Sequence, residues 1–141
     1  RMHAALCSGL DAGHSRVCLM GSDIPDLPLR HLHAAFQALA THHAVLVPTE
    51  DGGYCLAGLR QPAPDMFDDS LIPWSTPRVL QATADIAARR RMALALAPPW
   101  RDVDDAEDLH ALRRRIVRLP DSDVITPLRH ALDRWAPPPG T

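Results

Sequence analysis

The chain has 141 residues, of which 46% are hydrophobic and 23% are charged, the balance of one ordinary globular domain. Its formal net charge of −2 provides no electrostatic argument for a nucleic-acid or membrane partner, so we expect neither. Every basic side chain other than histidine is arginine. A phosphate clamp must therefore use arginine, backbone amides or a metal ion, and a Schiff-base lysine is excluded.

The cysteines and the hydropathy predict a cytoplasmic protein. The chain has three cysteines, Cys7, Cys18 and Cys55, and no two of them have Cys-x-x-Cys spacing. An odd number of cysteines without this spacing predicts neither a disulfide framework nor a zinc site. No apolar run approaches the length of a membrane span, and the apolar start at Met2 is interrupted too soon for a signal-peptide core. The cytoplasm is therefore the expected location.

The first part of the chain predicts two strands joined through a helix. A nearly continuous apolar run over residues 16–21 is typical of a strand covered on both faces. Apolar residues recur at helical spacing over residues 28–40, and residues 44–48 predict the next strand. An acidic turn at residues 21–26 follows the first strand, at the edge where open α/β sheets bind ligands.

A glycine turn separates the second predicted strand from a third at residues 54–59. The turn is Glu50-Asp51-Gly52-Gly53, and its glycines suit an ordinary hairpin. They equally suit a close approach of the backbone to a ligand, with the carboxylates accepting hydrogen bonds from hydroxyl groups. The spacing leaves both interpretations open.

The second half of the chain predicts three helices and a strand. Thr76-Pro77 combines a hydroxyl N-cap with proline at the first helical position, which predicts a helix to about Arg90. Residues 92–97 are strand-like, although their alanines and leucines would suit a helix nearly as well. Further helices are predicted to start near residues 104 and 126, and residues 137–141 are predicted to be a disordered tail.

Alternating strands and helices predict a single α/β domain over residues 1–136. The helix near residue 104 opens with an acidic segment, residues 102–108. Asp104 with Glu107 resembles a capping box, so helix capping alone could explain Asp104. Asp23 could likewise only turn the chain. Carboxylates at the ends of two elements are, alternatively, the oxygen ligands that Mg²⁺ prefers.

Four motifs occur in order: residues 21–27 (Gly-Ser-Asp-Ile-Pro-Asp-Leu), residues 48–59 with the Glu-Asp-Gly-Gly-Tyr turn, Trp-Ser-Thr at residues 74–76, and residues 102–109 (Asp-Val-Asp-Asp-Ala-Glu-Asp-Leu). Together they resemble a bacterial GT-A-fold glycosyltransferase family, the radical SAM/selenodomain-associated transferases. The chain is also similar, more distantly, to the molybdenum cofactor and phospholactate guanylyltransferases. The resemblance extends from about Arg16 to Leu112.

The resemblance implies a nucleotide-diphospho-sugar transferase fold, with a mostly parallel mixed sheet flanked by helices. It implies that Asp23 and Asp104 are the catalytic, metal-binding carboxylates and that Asp102 assists in binding Mg²⁺ or Mn²⁺. It places eight further residues around the substrate: Glu50, Asp51, Gly52, Gly53, Tyr54, Trp74, Ser75 and Thr76. The expected ligand is a nucleotide or a nucleotide-sugar.

The start of the chain differs from this family pattern. Family members begin with a strand, a glycine-containing turn and a Lys-Thr-Arg segment, whereas this chain begins just before what would be a later strand. The expectation is a truncated fold that lacks the first strands and whose exposed sheet edge is covered in a homodimer. The expected activity is metal-dependent transfer of a nucleotidyl or sugar group. The alternative is a non-catalytic remnant that serves as a binding or interaction module.

Overall fold

The computed structural model describes residues 1–135, so the predicted tail at 137–141 lies outside the described residues. The elements are α1 (Met2–Asp11), β1 (Val17–Met20), α2 (Leu29–Ala38), β2 (Ala44–Pro48), β3 (Tyr54–Leu59), a short 3-10 helix (Pro64–Phe67), α3 (Val79–Arg89), β4 (Leu94–Leu96), α4 (Ala106–Ile116) and α5 (Ile125–Trp135). The predicted strands and the last four helices occur close to their expected positions.

Helix α1 was not predicted, and its packing explains why it forms. Leu6 is fully buried in the core, and Met2 and Leu10 pack partly buried against it. A side chain at Gly9 would place a Cβ 2.8 Å from a methyl group of Val17, so glycine lets this helix approach β1 closely. A tertiary contact, rather than local periodicity, accounts for the helix.

The four described strands form one sheet in the order β1-β3-β2-β4. Strand β3 runs antiparallel to both β1 and β2, whereas β4 runs parallel to β2. Strands β1, β2 and β4 therefore run in the same direction. Of the three pairings between neighbouring strands, only that of β2 with β4 is parallel. The predicted α/β fold with a mixed sheet is confirmed, and the Glu50–Gly53 turn reverses the chain so that β3 opposes its neighbours.

The centre of the sheet is buried on both faces. In β2, Ala44, Val45, Leu46 and Val47 are each 1% exposed or less, as the continuous apolar run predicts. Strand β3 is buried from its second residue onward. The turn between these two strands is consequently held at both ends by the best-packed part of the sheet.

The chain divides into two compact units. The first comprises residues 1–22 and 28–101 and contains the sheet. Among the described residues, the second comprises residues 23–27 and 102–135. In it, α4 and α5 share an apolar core of Leu112, Ile116, Ile125 and Leu132. The predicted single domain over residues 1–136 and the predicted homodimer stay predictions. None of the described helices has the length and apolar character needed to cross a membrane.

Candidate metal and substrate turns

The acidic turn of the first unit is held by its own hydrogen bonds. The Thr49 hydroxyl and the Gly53 N–H, the latter at 3.0 Å, both donate to Oδ1 of Asp51. The Thr49 N–H donates to the Gly53 carbonyl at 3.1 Å. The Thr49 hydroxyl, followed by the Gly53 amide, lowers the pKa of Asp51 below its usual value, because both donors stabilise the carboxylate. Asp51 is therefore ionised and oriented at neutral pH.

Replacing Thr49 with valine should raise the pKa of Asp51 towards its usual value. The folded-state pKa of Asp51 is depressed, so the stabilisation is present above the unfolded-state pKa and is lost as the pH falls through the folded-state value. Thr49→Val should therefore lower the free energy of unfolding by about 1 kcal/mol at neutral pH and by less near pH 2. NMR titration and urea unfolding at both pH values measure the two effects.

Thr49→Ser is the matched control, because serine keeps the hydroxyl donor. The pKa of Asp51 should stay depressed in this variant. An Asp51 pKa that is unchanged by Thr49→Val would show that the hydroxyl does not stabilise the carboxylate.

Gly52 connects this turn to the segment that leads into α3. Its φ is +87°, a conformation that favours glycine. A Cβ at this position would lie 2.2 Å from the carbonyl oxygen of Pro77. The Gly52 carbonyl also accepts a hydrogen bond from the Leu80 N–H at 2.9 Å. The structure therefore brings the two predicted substrate segments of the first unit, residues 50–54 and 74–76, close together.

Glu50 forms an ion pair with Arg101, whose Nε lies 2.9 Å from the Glu50 carboxylate. The segment before Arg101 follows the end of β2, where the Trp100 N–H donates to the Pro48 carbonyl at 3.0 Å. Both side chains are more than a third exposed, so the pair adds little stability. Sequence analysis missed Arg101, because no spacing rule relates residues so far apart in the chain.

Tyr54 and Trp74 place two buried polar atoms in the first unit. Their rings meet edge to face with centroids 6.3 Å apart. Among the described residues, Trp74 Nε1 and His31 Nδ1 are buried without a hydrogen-bond partner. The Tyr54 hydroxyl interacts with the Thr83 side chain. Burial raises the pKa of Tyr54 to about 12, so its hydroxyl remains a donor at neutral pH. Unpaired buried donors are rare and destabilising.

The Thr76 hydroxyl oxygen accepts a hydrogen bond from the Arg78 N–H at 3.4 Å, as the predicted N-cap would, but the regular helix starts later than predicted. Helix α3 begins at Val79, and its N-cap residue, Arg78, makes no side-chain capping bond. Ser75 has a φ of +59°, and the Thr76 hydroxyl also donates to the Pro73 carbonyl at 2.7 Å. Left-handed backbone in a residue other than glycine is a form of strain that concentrates at functional sites.

In the second unit, Asp105 rather than Asp104 caps α4. Its carboxylate accepts hydrogen bonds from the Glu107 and Asp108 N–H groups at 2.8 and 2.9 Å. The Asp104 N–H donates to the Asp108 carboxylate at 3.3 Å. The prediction that Asp104 opens a capping box with Glu107 is therefore wrong, because the helix begins one residue later than that pattern requires. Capping does not account for the Asp104 side chain.

The carboxylates of Asp102 and Asp104 converge. An oxygen of one lies within 4.8 Å of an oxygen of the other. Ligands on opposite sides of a Mg²⁺ or Ca²⁺ ion are about 4 to 5 Å apart, so the two aspartates fit a hard divalent cation by donor type and by separation. The Asp23 carbonyl accepts a hydrogen bond from the Val103 N–H at 2.9 Å. This bond places the Asp23 backbone beside the residue that separates the two aspartates.

A buried ion pair holds the segment that contains Asp23. Arg115 of α4 donates from Nε and Nη2 to the two carboxylate oxygens of Asp26, at 2.9 and 3.2 Å. The Asp26 side chain is 1% exposed and that of Arg115 is 27% exposed. Such a two-pronged contact fixes orientation as well as distance. Asp26 therefore anchors residues 23–27 to α4 rather than only turning the chain.

Comparisons with known proteins agree with the fold. The chain is similar to a solved structure from Desulfovibrio desulfuricans G20 described as a "putative nucleotide-diphospho-sugar transferase", with a TM-score of 0.80 and 37% sequence identity. The similarity covers 94% of this chain, which spans 59% of the length of that one. The predicted fold class, an α/β fold like that of nucleotide-diphospho-sugar transferases, is confirmed.

No curated protein matches the chain. The predicted association with radical SAM or selenodomain proteins stays a prediction, as does truncation. Residues 1–76, more than half of the chain, match one described protein family. The chain therefore belongs to the bacterial family described as "Uncharacterized protein conserved in bacteria (DUF2064)".

Proposed function

We propose that this protein is a metal-dependent transferase that acts on a nucleotide-sugar. The observation that carries the proposal is the convergence of Asp102 and Asp104 directly before a helix whose cap is a different residue, Asp105. Two neighbouring carboxylates repel each other when both are ionised. A hard divalent cation offsets this repulsion and prefers oxygen ligands.

The transferred group is proposed from the similar solved structure. That protein is described as a "putative nucleotide-diphospho-sugar transferase", and the two chains share 37% identity over 94% of this chain. The same acidic motifs resemble guanylyltransferases, so nucleotidyl transfer is the competing reaction. Both reactions place a negatively charged phosphate group at the reacting centre, and this chain has no lysine to neutralise it.

Each unit supplies one part of the proposed chemistry. In the second unit, Asp102 and Asp104 would hold Mg²⁺ or Mn²⁺, and Asp23 is proposed as a further ligand because its carbonyl accepts the Val103 N–H between them. The bound ion supplies charge neutralisation on the phosphates of the donor. In the first unit, the ionised Asp51 carboxylate is a strong acceptor for a sugar or ribose hydroxyl. The unpaired Trp74 Nε1 donor, whose ring contacts that of Tyr54, supports a polar ligand beside the same turn.

Calorimetric titration with Mn²⁺ tests the metal site. The unmodified protein should bind Mn²⁺, and Asp23→Asn, Asp102→Asn and Asp104→Asn should each weaken binding by about tenfold or more, because asparagine keeps the shape but loses the charge. Asp69→Asn is the matched control, since Asp69 is exposed and lies outside the acidic segments. Each variant should unfold cooperatively, which separates loss of the metal from loss of the fold.

Two outcomes would contradict the metal proposal. One is equal Mn²⁺ affinity in the unmodified protein and all three variants. The other is an absence of binding even with a nucleoside diphosphate present, which would favour the non-catalytic binding module. Where Mn²⁺ binds as expected, release of nucleoside diphosphate from a panel of nucleotide-sugars, compared with release of pyrophosphate from nucleoside triphosphates, distinguishes sugar transfer from nucleotidyl transfer.

A further inference from the structure

A second candidate binding site lies within the second unit, between α4, the loop after it and α5. It is a groove of about 610 Å³. Four arginines line it together with the exposed apolar side chain of Val117. The arginines are Arg113, Arg114, Arg118 and Arg129. None of these residues belongs to the acidic segments proposed to bind the metal. The groove therefore calls for a separate explanation.

The charge around this groove is unbalanced. Four arginines line it, whereas Asp133 is the one acidic residue in the lining. Asp121 pairs with Arg129 from outside the lining. Positive charges gathered around a concave apolar surface repel one another, and this repulsion is screened less there than on an open surface. A bound anion would relieve it.

Two of the arginines are held in place by backbone carbonyls. Arg113 Nη2 donates to the Leu132 carbonyl at 2.8 Å. Arg129 donates to the Ile116 carbonyl through Nε at 3.1 Å and through Nη2 at 2.9 Å. These bonds join α4 to α5 and fix two of the guanidinium groups before any ligand arrives. Fixed charges lose little conformational entropy when a ligand binds.

The other two arginines remain available. Arg114 lies in α4 and Arg118 follows two residues after its end, and both are exposed. The structure records no hydrogen bond or ion pair between either guanidinium and another residue in the range 1–135. Guanidinium groups of this kind can donate two hydrogen bonds each to a phosphate.

The size and polarity of the groove indicate a small amphipathic ligand. Its volume, about 610 Å³, lies in the range of small-molecule pockets. The chain as a whole carries a net charge of −2, which does not favour a nucleic-acid backbone. We propose that this groove binds a small organic phosphate, whose anionic group contacts Arg114 and Arg118 and whose apolar or aromatic part contacts Val117, which lines the groove and is 73% exposed.

Calorimetry with 1-naphthyl phosphate tests this proposal, with inorganic phosphate and 1-naphthol as matched probes. EDTA is present throughout, so that binding cannot depend on the proposed metal site. 1-Naphthyl phosphate should bind more tightly than either partial probe. The double variant Arg114→Gln/Arg118→Gln should weaken its binding about tenfold or more, as expected for two lost charge-assisted contacts.

The matched control is Arg89→Gln/Arg91→Gln, which removes two exposed arginines of the first unit and should bind as the unmodified protein does. A second measurement needs no variant: the affinity of the unmodified protein should fall as salt is raised from 50 to 500 mM. The proposal is overturned by equal weakening in both double variants, by no binding in EDTA, or by a salt-independent affinity. Binding of 1-naphthol or inorganic phosphate as tightly as 1-naphthyl phosphate would also overturn it.

Discussion

Gly52→Ala should lower the free energy of unfolding by about 3–5 kcal/mol, because left-handed strain and a steric clash act together. The backbone at Gly52 has a φ of +87°. The new Cβ would lie 2.2 Å from the Pro77 carbonyl oxygen and 2.8 Å from two further atoms of Pro77. Backbone atoms cannot swing aside as a flexible side chain can, so the turn and the start of α3 must separate. Urea unfolding monitored by far-UV circular dichroism measures the loss.

Gly13→Ala is the control that separates the two causes. Gly13 has a similar φ, +92°, but nothing lies within 4 Å of the position its Cβ would occupy. This variant should therefore show only the conformational contribution, about 1–2 kcal/mol. Equal losses at Gly13 and Gly52 would mean that contact with Pro77 does not hold the acidic turn in place.

Arg115→Met should lower the free energy of unfolding by about 3–5 kcal/mol, because it leaves the buried Asp26 carboxylate without this guanidinium. The opposite change, Asp26→Asn, should be milder, about 1–3 kcal/mol. The reason is the difference in exposure: the Asp26 side chain is 1% exposed, whereas that of Arg115 is 27% exposed and remains partly hydrated. Equilibrium urea unfolding of both single variants measures this asymmetry.

The double variant Asp26→Leu/Arg115→Met completes the test. It removes both charges and should cost less than the sum of the effects of Arg115→Met and Asp26→Leu, since no buried charge is left behind. If the contact between Asp26 and Arg115 were energetically unimportant, the loss of unfolding free energy in the double variant would equal the sum of the losses in Asp26→Leu and Arg115→Met. Equal effects of Arg115→Met and Asp26→Asn would contradict the explanation from exposure.

The elements of the sheet could be predicted because their patterns are local. The apolar run of β2 and the glycine turn before β3 have few alternatives in a chain of this composition. The helix boundaries were less predictable. Asp104 and Asp105 are both acceptable N-cap residues. Which of them caps α4 depends on whether the first helical residue is 105 or 106. Likewise, α1 is short and depends on a close contact between Gly9 and Val17.

Sequence motifs identified the candidate site residues. They did not identify the residues that contact and orient them. The carboxylates of Asp23, Asp51, Asp102 and Asp104 stand out in the sequence because acidic turns at element ends are conspicuous. Thr49, which orients Asp51, is an ordinary residue at the end of a strand. The arginine groove was missed because a run of arginines near a helix end is usually a solvated surface.

The sequence by itself determined the order of the strands and α-helices from β1 onward, the acidic turns and the resemblance to a transferase family. Only the tertiary structure decided which charges meet. Glu50 pairs with Arg101 across 51 positions of the chain, and Asp26 pairs with Arg115 across 89. Periodicity and capping describe interactions within a few residues. Contacts between distant residues depend on how the elements pack, so no local pattern specifies them.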